Sequence, residues 1–124
     1  MVDTHALLLL LSGRERLGRS AREVILSRRN RVAVSAATIW EVEIKRALGK
    51  LVAPDDLTEQ LATHGFTQLP IRWEHAVAAG RLPAHHRDPF DRMLIAQAML
   101  EDLVVVTGDV SFADYDVRTL DALA

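Results

Sequence analysis

The sequence predicts an α/β protein: a three-layer α/β/α sandwich around a mostly parallel sheet of four to five strands. Three observations carry this. Short apolar runs alternate with stretches whose apolar residues recur at helical spacing, in the order strand, helices, strand, helices, strand, helices, strand, strand, which is the pattern of an open sheet layered by helices. The run Leu103-Val104-Val105-Val106-Thr107 is apolar at nearly every position, as in a parallel strand covered on both faces. Just before it, Asp88-Pro89 reads as an N-cap followed by proline in the first turn, where a missing N–H costs nothing.

Met1 to His5 is the tail of a short strand, because a helical pattern takes over with Ala6, Leu7, Leu10 and Leu11. Asp3 therefore sits at a strand-to-helix junction. Ser12-Gly13 ends that helix, and Ser20 caps the next, whose Ala21, Val24, Ile25 and Leu26 form its core face. Val32 to Val34 is a short buried strand. Ser35 then opens a helix from Ala36 to about Lys50, with Ala37, Ile44, Leu48 and Leu51 as the buried stripe. Glu41 falls on that stripe, whereas Glu43 is turned about 200° away and can pair with Arg46 or Lys50. Pro54-Asp55-Asp56 starts a helix through Leu57, Leu61 and Ala62 that His64-Gly65 closes. Phe66 to Ile71 is a weak strand, with Pro70 marking an edge. Trp73 to Gly80 is helical, and Leu82 to Arg87 is a loop. Its adjacent His85 and His86 match neither a helical metal pair nor a zinc spacing, so they read as surface loop residues. An irregular stretch follows Asp109, and Asp116 to Leu120 is the last strand.

With 124 residues, nearly half of them apolar, the chain reads as one domain, 1–124, with one substantial core. The formal charge of -2 demands no nucleic-acid partner, so such a contact must come from a local patch. Arg14, Arg16, Arg19, Arg22, Arg28, Arg29 and Arg31 supply one, and a solvated helix face is the plain alternative reading. There is no cysteine, which excludes disulfides, thiol catalysis and cysteine-based zinc sites. The apolar run Ala6 to Leu11 is too short for a membrane span and lacks the basic head of a signal peptide. A cytoplasmic location is expected.

The acids carry the functional signal. From Asp91 the residues three, four, seven and eight positions on are Leu94, Ile95, Ala98 and Met99, so its carboxylate lies on the core-facing stripe. Asp91 could instead be the capping partner of Asp88, and Asp109 could be a turn residue after Gly108. Yet Asp3, Glu41 and Asp109 each follow a strand, directly or through the first turns of a helix, and Asp91 opens the helix before the last buried strand. In a parallel sheet these places converge on the carboxyl edge. Four clustered carboxylates cannot all stay ionised without a cation, and a hard divalent metal is the simplest compensator. Mg²⁺ or Mn²⁺ on oxygen ligands would suit metal-assisted phosphodiester hydrolysis.

The blocks Asp3-Thr4-His5, Ser35 to Lys45, His86 to Ala98 and Val106-Thr107-Gly108-Asp109 resemble, in order and spacing, those of PIN domains, and specifically the VapC-type toxins of toxin–antitoxin modules. The resemblance spans the whole chain. It implies a magnesium- or manganese-dependent endoribonuclease acting on structured RNA such as tRNA or rRNA, silenced by a cognate antitoxin and commonly a homodimer. By motif position it implies that Asp3, Glu41, Asp91 and Asp109 are the catalytic, metal-holding acids, with Asp88 a secondary candidate. One departure stands out, since only Met1 and Val2 precede Asp3 where the family has a longer first strand.

Two other readings compete. One is a catalytically silent PIN-like module that binds RNA or an antitoxin through the same acids. The other is a phosphoryl-transfer domain with an aspartate nucleophile, which fits poorly because Thr4 and His5 follow Asp3 and no lysine follows a later strand.

Overall fold

The structure, a computed structural model, describes residues 1–12 and 17–124. Its elements are α1 (Thr4–Leu11), α2 (Arg19–Leu26), β1 (Ala33–Ser35), α3 (Ala36–Ala47), α4 (Leu57–Thr63), β2 (Thr67–Leu69), α5 (Trp73–Arg81), α6 (Pro89–Glu101), β3 (Val105–Thr107) and β4 (Thr119–Asp121). A 3₁₀ turn, Val110–Asp114, lies between β3 and β4. The expected alternation of strands and helices is present, but the strands are only three residues long. They form two parallel pairs, β1 with β2 and β3 with β4, rather than one ladder of four to five strands.

Val2 joins the pairs. It bridges Val106 in parallel, its N–H donates to the Ala33 carbonyl at 3.2 Å, and the Asp3 N–H donates to the Val106 carbonyl at 3.0 Å. The short first strand is thus reduced to a single bridge, and the helix begins at Thr4 instead of Ala6. Side chains alternate across this layer as the pleat requires. Met1, Ala33 and Val105 enter one core with Leu94, Ile95, Ala98 and Phe112. Val2, Val34 and Val106 enter the other with Leu7, Ala21, Ile25, Val42 and Leu57. Both faces of the strand layer are therefore covered, which explains the continuous apolar run before Thr107.

Several boundaries differ from the sequence reading. α2 is capped by Gly18, with Ser20 already inside it, and only Ala21 and Ile25 are buried; Val24 and Leu26 face solvent. In α3 the buried residues are Ala37, Thr38, Glu41 and Val42, whereas Leu48 is exposed beyond the helix end. The expected stop at Gly13, and Arg14 and Arg16 of the basic stretch, lie outside the described residues. Among the described residues, no helix is long and apolar enough to cross a membrane.

Candidate active site

The strand ends and helix starts deliver the acids to one place. Asp3, Glu41, Asp88, Asp91 and Asp109 all line a single cleft of about 350 Å³, together with Thr4, His5, Lys45 and Gly108. A larger groove of about 440 Å³ beside Trp40 and Phe66 has no titratable residue in its lining, so the chemistry belongs to the cleft.

Each acid is held differently. Asp3 caps α1, its Oδ1 accepting the Ala6 N–H at 2.8 Å, while its Oδ2 accepts the Thr107 hydroxyl at 2.6 Å. Burial pushes its carboxyl above the usual range, and the two hydrogen bonds only partly offset this. The Thr107 oxygen also accepts the Asp109 N–H at 3.0 Å, so one hydroxyl ties the end of β3 to the start of α1. Glu41 sits in the second turn of α3 with a side chain only 6% exposed. Its Oε2 accepts from the Lys45 ammonium at 2.6 Å, and its Oε1 is buried with no hydrogen-bond partner among the described residues. A buried carboxylate oxygen without a hydrogen bond is costly. The hydrogen bond to Glu41 raises the pKa of Lys45, which keeps the ammonium charged.

Asp88 caps α6, its Oδ1 accepting from the N–H groups of Phe90 and Asp91 at 2.8 and 3.2 Å. The Asp88 N–H donates to His86 Nδ1 rather than to Asp91, so Asp91 is not its capping partner. Asp91 instead faces the cleft, and burial first, then the neighbouring Asp88 charge, raise its pKa to about 7; His86 opposes the shift, and Glu41 and Asp3 add to it. Asp109 divides its oxygens. Oδ1 accepts the N–H and hydroxyl of Ser111, as the turn reading expects, and Oδ2 lies 3.0 Å from His86 Nε2. Burial alone would raise its pKa, but the Ser111 and His86 hydrogen bonds outweigh it and the group lies below the usual range.

Two residues were not anticipated. His86 belongs to the loop, as read, but its ring is turned into the site, 3.0 Å from both Asp91 and Asp109. Lys45 could have been found, because a glutamate four residues before a lysine on a helix is a pairing signal. His86 heads one of the blocks that resemble PIN domains but was read as a surface loop residue, because the contacts that turn it inward, with Tyr115 and Arg92, exist only in the folded chain. Arg92, in the first turns of α6, donates to the carbonyls of Ala79, Leu82, Pro83 and His86 at 2.8 to 3.2 Å and so holds the loop beside the cleft. Trp40 and Phe90, the neighbours of Glu41 and Asp91, meet edge to face at 5.3 Å and pin α3 against α6. The acidic atoms of Asp91 and Asp109, with His86 Nε2, lie within 4.8 Å of one another, close enough for one cation.

A parallel α/β unit whose strand ends carry acids from separate elements into one cleft is the class that this fold and site define. Within that class, the chain belongs to the PIN domain family, whose model matches residues 1–118. PIN domains are generally nucleases. No match was found among proteins of curated function. Solved structures similar to this chain include a toxin–antitoxin complex from Klebsiella pneumoniae, at TM-score 0.69 and 19% identity over 98% of this chain and 95% of that one. The structure of FitAB bound to a DNA fragment matches at TM-score 0.73 and 19% identity, over 99% and 94%. VapBC2 from Rickettsia felis, bound to a promoter DNA fragment, matches at TM-score 0.68 and 13% identity, over 97% and 96%. At these identities the likeness is one of fold.

Proposed function

We propose that this PIN domain is a Mg²⁺- or Mn²⁺-dependent endoribonuclease acting as the toxin of a toxin–antitoxin pair. The observation that carries the reading is the meeting of Asp3, Glu41, Asp91 and Asp109 in one cleft where Lys45 is the one lysine or arginine among the described lining residues. Glu41 keeps a buried oxygen unpaired, and Asp91 is raised to about 7. An all-carboxylate donor set fits a hard divalent cation. These four acids are the residues that would hold it, with Asp88, which caps α6 through its Oδ1, a secondary candidate. When bound, the cation supplies Lewis acidity, acidifying water and screening the phosphodiester charge.

The chain's own groups prepare the rest. Asp3 is rigid because both of its oxygens are hydrogen-bonded. Lys45 stays charged and half exposed at the cleft, where its ammonium can meet a phosphate oxygen. An antitoxin partner and a homodimer, in the cytoplasm, are part of the same proposal, the first supported by the toxin–antitoxin complexes among the structural neighbours.

The test is cleavage of tRNA and rRNA with and without chelator. Chelation should abolish cleavage, Mg²⁺ or Mn²⁺ should restore it, and the circular dichroism spectrum should stay constant, because the two cores are built from apolar side chains and include none of the acids. Undiminished cleavage in chelator would sink the metal requirement. One observation favours the silent binding module: the Lys45–Glu41 pair offsets one charge without any cation. That reading predicts RNA or antitoxin binding with no cleavage at any metal concentration.

The basic stretch offers a separate check. Arg22, Arg28, Arg29 and Arg31 are exposed, and Arg19 pairs only at the surface with Glu23. If they steer RNA, changing Arg28, Arg29 and Arg31 to Gln should weaken binding and flatten its salt dependence, each lost phosphate contact lowering the slope by about 1. An unchanged slope returns them to a solvated surface.

A further inference from the structure

We propose that His86 is a positioning residue of the acidic cleft, whose Nε2–H is donated to Asp109 while its ring edge lies against Asp91, so that it sets the spacing of the two acids, and that it is not itself a metal ligand. The inference rests on the nuclease reading only for the cation that the two acids would hold.

A neutral imidazole has one N–H, and its other nitrogen accepts. The Asp88 N–H donates to His86 Nδ1 at 3.1 Å, so Nδ1 is the acceptor and the hydrogen is on Nε2. That hydrogen is donated to Asp109 Oδ2 at 3.0 Å, and Asp91 Oδ2 lies equally close to Nε2, as an electrostatic neighbour without a hydrogen bond. In this tautomer Nε2 has no lone pair to give a cation. The three atoms that lie within 4.8 Å of one another are therefore two ligands and the donor that aligns them.

The ring is fixed from several sides. The His86 N–H donates to the Tyr115 hydroxyl at 2.8 Å, and that hydroxyl donates to the Pro83 carbonyl at 2.6 Å. Arg92 holds the carbonyl of His86 and those of the preceding loop, from the same helix that carries Asp91. The ring edge meets Phe112, itself fully buried, at 6.0 Å. Across the cleft, the unpartnered Glu41 Oε1 is an independent sign that a positive ligand belongs here. Holding two mutually repelling carboxylates in register before the cation arrives is what an outer-shell donor does, and losing such a donor typically costs about 10- to 100-fold in metal affinity.

The experiment titrates Mn²⁺ into wild type, His86→Ala and His86→Gln, reading free Mn²⁺ by electron paramagnetic resonance. His86→Ala should bind about 10- to 100-fold more weakly. His86→Gln, whose amide N–H can reach the same space, should recover most of the affinity. Equal affinity of wild type and His86→Ala overturns the proposal. So does a nitrogen coupling in the pulsed spectrum of wild type that vanishes in His86→Ala, which would make His86 a ligand. A metal-free arm reads the tautomer by ¹⁵N–¹H correlation at alkaline pH, where Nε2–H supports the proposal and Nδ1–H overturns it. If wild type neither binds Mn²⁺ nor cleaves RNA, the nuclease reading fails, and the tautomer still decides how His86 is placed.

Discussion

Changing Glu41 to Gln should lower RNA cleavage by at least about a hundredfold, roughly 2.7 kcal/mol of transition-state stabilisation, and leave the fold intact. The substitution keeps size and hydrogen-bonding capacity and removes only the charge that the proposed cation needs. Stability should hold or rise, because the variant loses one exposed-end pairing with Lys45 and one source of repulsion toward Asp91. Glu43→Gln is the control. Glu43 sits two residues on, 54% exposed and 3.6 Å from Arg46, so its loss should cost at most a few tenths of a kcal/mol and leave cleavage nearly unchanged. Cleavage assays and thermal melts of both variants give the answer. Equal losses would mean that burial on α3 does not separate the two glutamates functionally, and no loss from either would favour the silent binding module.

That contrast was legible from helical phase alone, and the reason shows where sequence reasoning works in this chain. Glu41 and Glu43 differ by about 200° on α3, so one of them must face inward whatever the strand lengths are. Asp3 and Asp109 were legible through strand polarity, since any parallel layer carries the residues after its strands to the same edge. Asp88 and Asp91 followed from the proline that starts α6. Strand extent was not legible, because three residues hold too little alternation to define a boundary and pairing is decided by backbone partners far along the chain. Outward Val24, Leu26 and Leu48 misled the helix phases for a related reason: apolar residues also occur on surfaces, so periodicity reports a tendency and not a contact. His86 was illegible on different grounds. Its role depends on Tyr115 and Arg92 fixing a loop against two acids, and only the folded chain brings those groups together.

Asp91→Asn should have opposite effects on stability and activity. In the metal-free protein the Asp91 carboxyl is raised to about 7, by burial first and then by Asp88, with Glu41 and Asp3 adding to it against the pull of His86. An unfolded aspartate titrates near 3.9, so between about pH 4 and pH 7 the folded state keeps a proton that the unfolded state has lost. The folded state is therefore favoured at the acidic end, and stability falls as pH rises through this window, reaching its full loss above about 7. Three pKa units would correspond to about 4 kcal/mol, and partial solvent screening reduces the expected effect to the order of 1–2 kcal/mol. Asp3, also raised, acts in the same direction, whereas Asp109, lowered, contributes stability that is lost only as pH falls through its own depressed value. Asparagine cannot ionise. In chelator, Asp91→Asn should be the more stable protein at pH 8, equal to wild type near pH 4, and flatter in between. Adding Mn²⁺ at pH 8 should raise the melting temperature of wild type by mass action and that of the variant much less. Cleavage by the variant should fall at least about a hundredfold, since the carboxylate that destabilises the metal-free fold is the one proposed to hold the cation. Parallel stability–pH curves for the two proteins would show that the charge on Asp91 is already compensated, and would remove the electrostatic case for a metal at this cleft.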